Sequence, residues 1–128
     1  MVDRAGWGAD ESLRDGWEAT EAQLRAAVVH HTAGTNSYTQ AQSAQIVRDI
    51  YYYHAVTNGW GDIGYNFLVD RYGRVFEGRR GSITGAVHGA HTGGFNTESM
   101  GISVLGTYSS TSPTSAALRG VVDIASWK

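Results

Sequence analysis

The run Ala26-Ala27-Val28-Val29-His30-His31 is short, apolar and β-branched and ends in polar residues, which predicts a buried strand. Gly34 to Ser37 reads as a loop. Beyond it, Ala44, Val47, Ile50, Tyr51 and His54 recur at helical spacing and predict one buried stripe of a helix. Thr39 is its expected N-cap and Asn58-Gly59 its stop. Tyr65-Asn66-Phe67-Leu68-Val69 predicts a second strand, with Tyr65 on the same face as Phe67 and Val69 by period-2 alternation. Arg71-Tyr72-Gly73 turns the chain, and Arg74-Val75-Phe76-Glu77 returns it as a hairpin partner. Residues 78–98 form a long glycine-rich loop, a feature that is usually functional in a small domain. Met100-Gly101-Ile102-Ser103-Val104-Leu105 is a third strand. Ser112 as cap and Pro113 in the first turn open a last helix, with Leu118, Val121, Val122 and Ala125 as its apolar stripe. Residues 1–25 look loop-like, because Gly6, Trp7, Gly8, Gly16 and Trp17 interrupt any long period. A short helix fits near Thr20–Leu24.

Composition narrows the function classes. The chain has 128 residues, 41% hydrophobic and 17% charged, which suits one ordinary globular domain. Its formal net charge is -2 and it has no basic run, which argues against nucleic acid as a partner. No apolar stretch approaches the roughly 20 residues that cross a bilayer as a helix. The absence of cysteine excludes a disulfide scaffold, a thiol nucleophile and thiolate metal ligands. Met1-Val2-Asp3-Arg4 carries no apolar export signal. Few lysines, 17 glycines and many Ser and Thr fit a secreted bacterial protein.

Five histidines carry most of the chemical signal: His30, His31, His54, His88 and His91. Imidazole binds zinc through a bare ring nitrogen and moves protons near neutral pH. His30 and His31 are adjacent on a strand, so only one of them turns easily to a given site. His54 ends the inward stripe of its helix, where a core position and a site position are equally natural. His91 lies in the glycine-rich loop just before a strand, and His88 is read as a packed residue. Tyr51-Tyr52-Tyr53 reads as packing and surface, and Arg79-Arg80 as a solvated turn. The chain has no G-x-G-x-x-G or Walker pattern, no G-x-S-x-G elbow and no H-E-x-x-H pair.

The segments together are more specific than any one histidine. Val28-Val29-His30-His31-Thr32-Ala33-Gly34, Asp62-Ile63-Gly64-Tyr65-Asn66-Phe67-Leu68-Val69, Gly73-Arg74-Val75-Phe76-Glu77-Gly78-Arg79 and Gly89-Ala90-His91-Thr92-Gly93-Gly94-Phe95-Asn96-Thr97-Glu98-Ser99-Met100-Gly101-Ile102 resemble, in order, the motifs of the peptidoglycan-recognition protein family. That family is also known as the type-2 N-acetylmuramoyl-L-alanine amidases. Arg4-Ala5-Gly6-Trp7-Gly8-Ala9 is similar to the segment that leads its recognition branch. The resemblance implies a single α/β domain, a mixed central β-sheet flanked by α-helices, with a groove across one face. It implies peptidoglycan or muropeptide as partner, a secreted or cell-wall-associated protein, and zinc-dependent cleavage of the amide between N-acetylmuramic acid and L-alanine. His30 matches the first zinc ligand and Tyr65 the tyrosine that assists attack. His31, His54, His91, Thr92 and Asn96 match positions that line the groove.

A catalytic zinc needs about three protein ligands and an open position. In the family the other two ligands follow the last long helix, and the sequence ends at Trp127-Lys128, still in helical pattern. The expectation is therefore a domain that lacks the family's C-terminal segment. Activity is then expected only of a longer form, with a non-catalytic peptidoglycan-binding module as the alternative. The same reading predicts apolar surface near the last helix and self-association. Sedimentation at high concentration checks it: concentration-dependent oligomers are expected, and a clean monomer would refute the prediction.

Overall fold

The computed structural model describes residues 1–15 and 20–128. Gly16 and Trp17, read above as period breakers, lie outside the described residues.

All four strands fall where the hydrophobic pattern marks them, with ends shifted by at most two residues, but the run 26–31, expected to be buried, is an edge strand with no buried residue. They are β1 (Ala26–His31), β2 (Phe67–Val69), β3 (Val75–Glu77) and β4 (Ser99–Val104), in the sheet order β1-β4-β2-β3. β4 runs parallel to both β1 and β2, and β3 pairs antiparallel with β2, so the sheet is mixed. Asp70 fixes the β2–β3 turn. Its Oδ1 accepts from the backbone N–H of Tyr72 and of Arg74, and its Oδ2 accepts from Arg74 Nε at 2.9 Å.

Two apolar layers sandwich the sheet, one per face, as side-chain alternation requires. Leu68 and Phe76 point to the layer of α2 (Ser43–Tyr52), where they meet Trp7, Val47, Tyr51 and Ile63. Phe67, Val69, Met100, Ile102 and Val104 point to the layer of α3 (Ser115–Trp127), where they meet Ala117 and Ile124. α2 begins as expected: Thr39 and Gln42 form a capping box ahead of the 3₁₀ turn Gln40–Gln42. It ends in a wider π-type turn, Tyr53–Thr57. That extra turn places His54 inside, 8% exposed.

Four expectations need correction. The N-terminal segment is not all loop. Asp3 caps a short helix, α1 (Arg4–Trp7), by accepting from Gly6 N–H, and Trp7 is buried with its Nε1 donating to Glu77 O. Thr20–Leu24 is not helical: Glu21 bridges Val87, and Ala22 and Gln23 N–H donate to Ala86 and Thr97 carbonyls. The cap of α3 is Thr114 rather than Ser112, and Thr114 Oγ1 both accepts from Ala117 N–H and donates to Arg71 O.

The buried stripe of α3 is Ala117, Gly120 and Ile124, with Val121 half-buried, while Leu118 and Val122 are exposed. The reason is closeness. A Cβ on Gly120 would stand 2.9 Å from the backbone oxygen of Gly73, so only small residues let the helix lie against that turn. The large aliphatic side chains are left on the outer face.

Candidate functional site

The register of β1 on β4 pairs His30 with Ser103 and Val28 with Gly101. Odd positions of β4 face the α2 side, so His30 does too. His31 takes the other face, where its Nδ1 accepts from Tyr108 N–H at 2.9 Å.

Tyr65 does not share a face with Phe67 and Val69. The strand begins only at Phe67, so Tyr65 sits in the bend before it, where alternation does not hold, and packs with the α2 layer. From that bend its ring reaches His30, with centroids 5.5 Å apart, and His54 at 5.4 Å. His54 also packs at a tilt against Trp60, centroids 4.7 Å apart, and His30 meets His91 edge-on at 5.1 Å. The result is a continuous row: Trp60, His54, Tyr65, His30, His91. A cavity of about 360 Å³ opens beside His54 and Tyr65, bounded by Thr32, Ile46, Ile50 and Tyr53. Another of about 400 Å³ opens beside His30 and His31, bounded by Val104, Tyr108 and Pro113.

Each ring is held from behind. His54 Nδ1 accepts from Gly64 N–H at 3.0 Å, leaving its Nε2 to carry the proton. His30 Nε2 lies 3.0 Å from His91 Nδ1. The ring of His91 rests on bare backbone: a Cβ on Gly101 would come within 2.4 Å of it. Asn96 Oδ1 accepts from both His91 and Thr92 N–H at 2.9 Å, which closes the loop that carries them. His88 contributes its backbone, donating to Thr20 O and accepting from Arg79.

Sequence reasoning missed a buried polar frame under the row. Arg79 is no solvated turn: it is 3% exposed and donates to Ile63 O at 2.8 Å and His88 O at 3.2 Å. Asp62, fully buried, accepts from Arg4 Nη1 at 2.9 Å and from the N–H of Ile63 and Arg80. Asn66 accepts from Gly101 N–H and donates to Val87 O, each at 2.9 Å. These groups pin the chain on either side of Tyr65. A charged residue beside glycine reads as surface in sequence, and only the tertiary carbonyls that receive Arg79 reveal otherwise.

The imidazoles of the row are biased toward their neutral form, with Asp49 at the border of the cavity. Burial pushes His54 down to about 4, helped by the nearby Arg79 cation. Burial also holds His30 and His91 below the ordinary imidazole value. Among the described residues, no group of three His, Cys, Asp or Glu could hold a metal ion. The donor set here therefore does not fit a catalytic zinc, which needs about three protein ligands; His30 is a single imidazole already bonded to His91.

Comparison with known proteins decides the family. Residues 20–128 match the N-acetylmuramoyl-L-alanine amidase family. The chain belongs to the peptidoglycan-recognition and N-acetylmuramoyl-L-alanine amidase family. Among its relatives in this family, peptidoglycan-recognition protein SC2 of Drosophila simulans is 37% identical over 118 residues, 92% of this chain and 61% of that protein. Peptidoglycan recognition protein 1 of Bos taurus is 38% identical over 119 residues, 93% of this chain and 60% of that protein. The chain thus spans about three fifths of the length of these relatives. Both are animal proteins and lend no support to the bacterial origin read from composition. Among solved structures, peptidoglycan recognition protein-LE in complex with tracheal cytotoxin, a monomeric diaminopimelic acid-type peptidoglycan, superposes with a TM-score of 0.86 at 34% identity, covering 99% of this chain and 72% of that one. Human PGRP-IBETAC in complex with glycosamyl muramyl pentapeptide superposes at 0.78 and 30% identity, covering 98% and 73%.

The depressed histidines predict acid sensitivity. The unfolded chain takes up a proton at His54 near 6.5 and the folded chain only near about 4. Between those values the unfolded state binds more protons, so stability falls as pH falls. The loss from His54 is on the order of 2 kcal/mol once residual solvent screening is allowed for. His30 and His91 add to it with the same sign. His54→Asn keeps an acceptor for Gly64 N–H and removes the titration. Urea unfolding at pH 7.5 and pH 5 is expected to show a smaller loss in this variant than in the wild type, and equal losses would contradict the assignment.

Proposed function

We propose that the row from Trp60 to His91 is the floor of a groove that binds muropeptides. The observation that carries this reading is the contact of five aromatic rings one after another, with an open cavity beside His54 and Tyr65. A muropeptide joins sugar rings to a short stem peptide and, besides its charged groups, offers C–H faces, hydroxyls, N–H and C=O groups. Neutral imidazoles and a phenol match it, each with a donor or an acceptor beside an apolar ring face. The two complexes of structural relatives with peptidoglycan fragments support the same ligand class.

Within this reading, His54 offers its Nε2–H to the ligand, and Tyr65 offers a hydroxyl that could also steady a developing oxyanion. His31, Thr92 and Asn96 are groove positions only by the sequence resemblance. Their bonds here make Asn96 a brace for the His91 loop and set His31 at the far side of β1. His30 is the one matched zinc ligand.

Zinc-dependent hydrolysis of the N-acetylmuramic acid–L-alanine amide extends the proposal only to a form that supplies the further ligands. When bound, such an ion polarises a carbonyl and lowers the pKa of its water. For the residues described here, binding is the function the geometry favours. A secreted or wall-associated location follows from where such a ligand is found. Self-association is supported by the exposed Leu118, Val122 and Trp127 of α3.

Calorimetric titration with a muramyl peptide tests the reading. Binding is expected without added metal, and Tyr65→Phe or His54→Phe is expected to weaken it by about tenfold, the loss of one hydrogen bond to an otherwise buried group. Zinc added to the apoprotein is expected to show no tight stoichiometric binding. Unchanged affinity in both variants would sink the groove assignment, and tight zinc binding would restore the catalytic reading for this chain.

A further inference from the structure

The hydrogen bonds behind His30 fix where its proton sits. Ser99 Oγ lies 2.7 Å from Phe95 O, an acceptor only, so the hydroxyl proton is spent there. His91 Nε2 faces Ser99 Oγ at 3.4 Å and Ser99 O at 3.5 Å. Both neighbours present lone pairs, so His91 Nε2 carries the proton and its Nδ1 is bare. His30 Nε2 lies 3.0 Å from that bare nitrogen and must donate to it. The remaining nitrogen, His30 Nδ1, has no partner among the described residues and carries a lone pair.

We infer that His91 is a positioning residue that holds His30 in the Nε2–H tautomer, turning a bare Nδ1 acceptor toward the groove. His91 is suited to this by its seat. It rests on the Cβ-free backbone of Gly101, its loop is closed by Asn96, and both ring nitrogens are engaged. A ring so held has no nitrogen left to address a ligand directly and acts through His30. The groove then alternates in polarity along its floor: a donor at His54 Nε2, the hydroxyl of Tyr65, and an acceptor at His30 Nδ1. That order suits a ligand that presents a carbonyl at one end and an amide N–H at the other, as a peptide linkage does. The consequence for ligand binding rests on the groove reading above, whereas the tautomer rests on the hydrogen bonds alone.

Long-range proton–nitrogen NMR correlation at about pH 8, where imidazoles are neutral, reads the tautomer of each histidine in the free protein. His30 is expected to show a protonated Nε2 and a bare Nδ1. His91→Phe keeps a ring in the seat and removes the acceptor, and His30 is expected to relax to a mixture of tautomers. His91→Gln supplies an amide oxygen in place of Nδ1 and is expected to restore the Nε2–H form. A wild-type His30 protonated on Nδ1 would overturn the inference, and so would an unchanged tautomer in a folded His91→Phe. The wild-type spectrum decides alone if that variant does not fold. Muropeptide titration of the same samples separates the two claims: the expected tautomer without any binding would support the positioning role and refute the groove.

Discussion

The parallel pairing of β1 with β4 determines which imidazole faces the groove. Opposite Ser103, His30 shares the α2 side of the sheet with Gly101 and the bend that carries Tyr65. A slip of one residue would exchange His30 for His31 and move every apolar side chain of β1 to the opposite face. The register is held by the strand pairing itself, Ala26 opposite Ser99 through His31 opposite Val104, since no β1 side chain belongs to either buried core cluster. The site is thus set by backbone pairing at the edge of the sheet. Its precision comes from a feature the core does not need, the bare backbone at Gly101 on which His91 lies.

Beneath the row, charge is kept close but turned away. Arg4, Arg79 and Asp62 are all buried, and each is met by carbonyls, N–H groups or an opposite charge. Buried ions of this kind stabilise weakly but penalise any arrangement that leaves one unpaired. Here they hold the segment Asp62–Tyr65 and the loop at His88 in one geometry. The Arg79 cation also disfavours a proton on His54. Burial first, and that cation second, therefore bias His54 toward its neutral form, which suits hydrogen bonding to sugar hydroxyls and amides.

Much of this was legible in the sequence. The strands, the α2 helix with its Thr39 cap, and the β2–β3 hairpin follow from period and turn chemistry, and the family resemblance supplied the mixed sheet and the candidates His30, Tyr65, His54 and His91. Other features were not legible, for identifiable reasons. Gly120 hides the true face of α3, because pattern reading favours Leu118 and Val122 over a residue that contributes only closeness. Arg79 looked solvated because its carbonyl partners are remote in sequence. Tyr65 was placed on the wrong face because a strand's first residue cannot be told from the bend before it. The N-terminal helix is only four residues long and has no period to read.

The central claim is that one row of rings receives the ligand. Aromatic and imidazole NMR resonances followed during titration with a muramyl peptide test it most directly. The account predicts saturable shifts at Trp60, His54, Tyr65 and His30, with Trp127 and Tyr72 unmoved. Shifts confined to Trp127 and its neighbours, with the row silent, would contradict it.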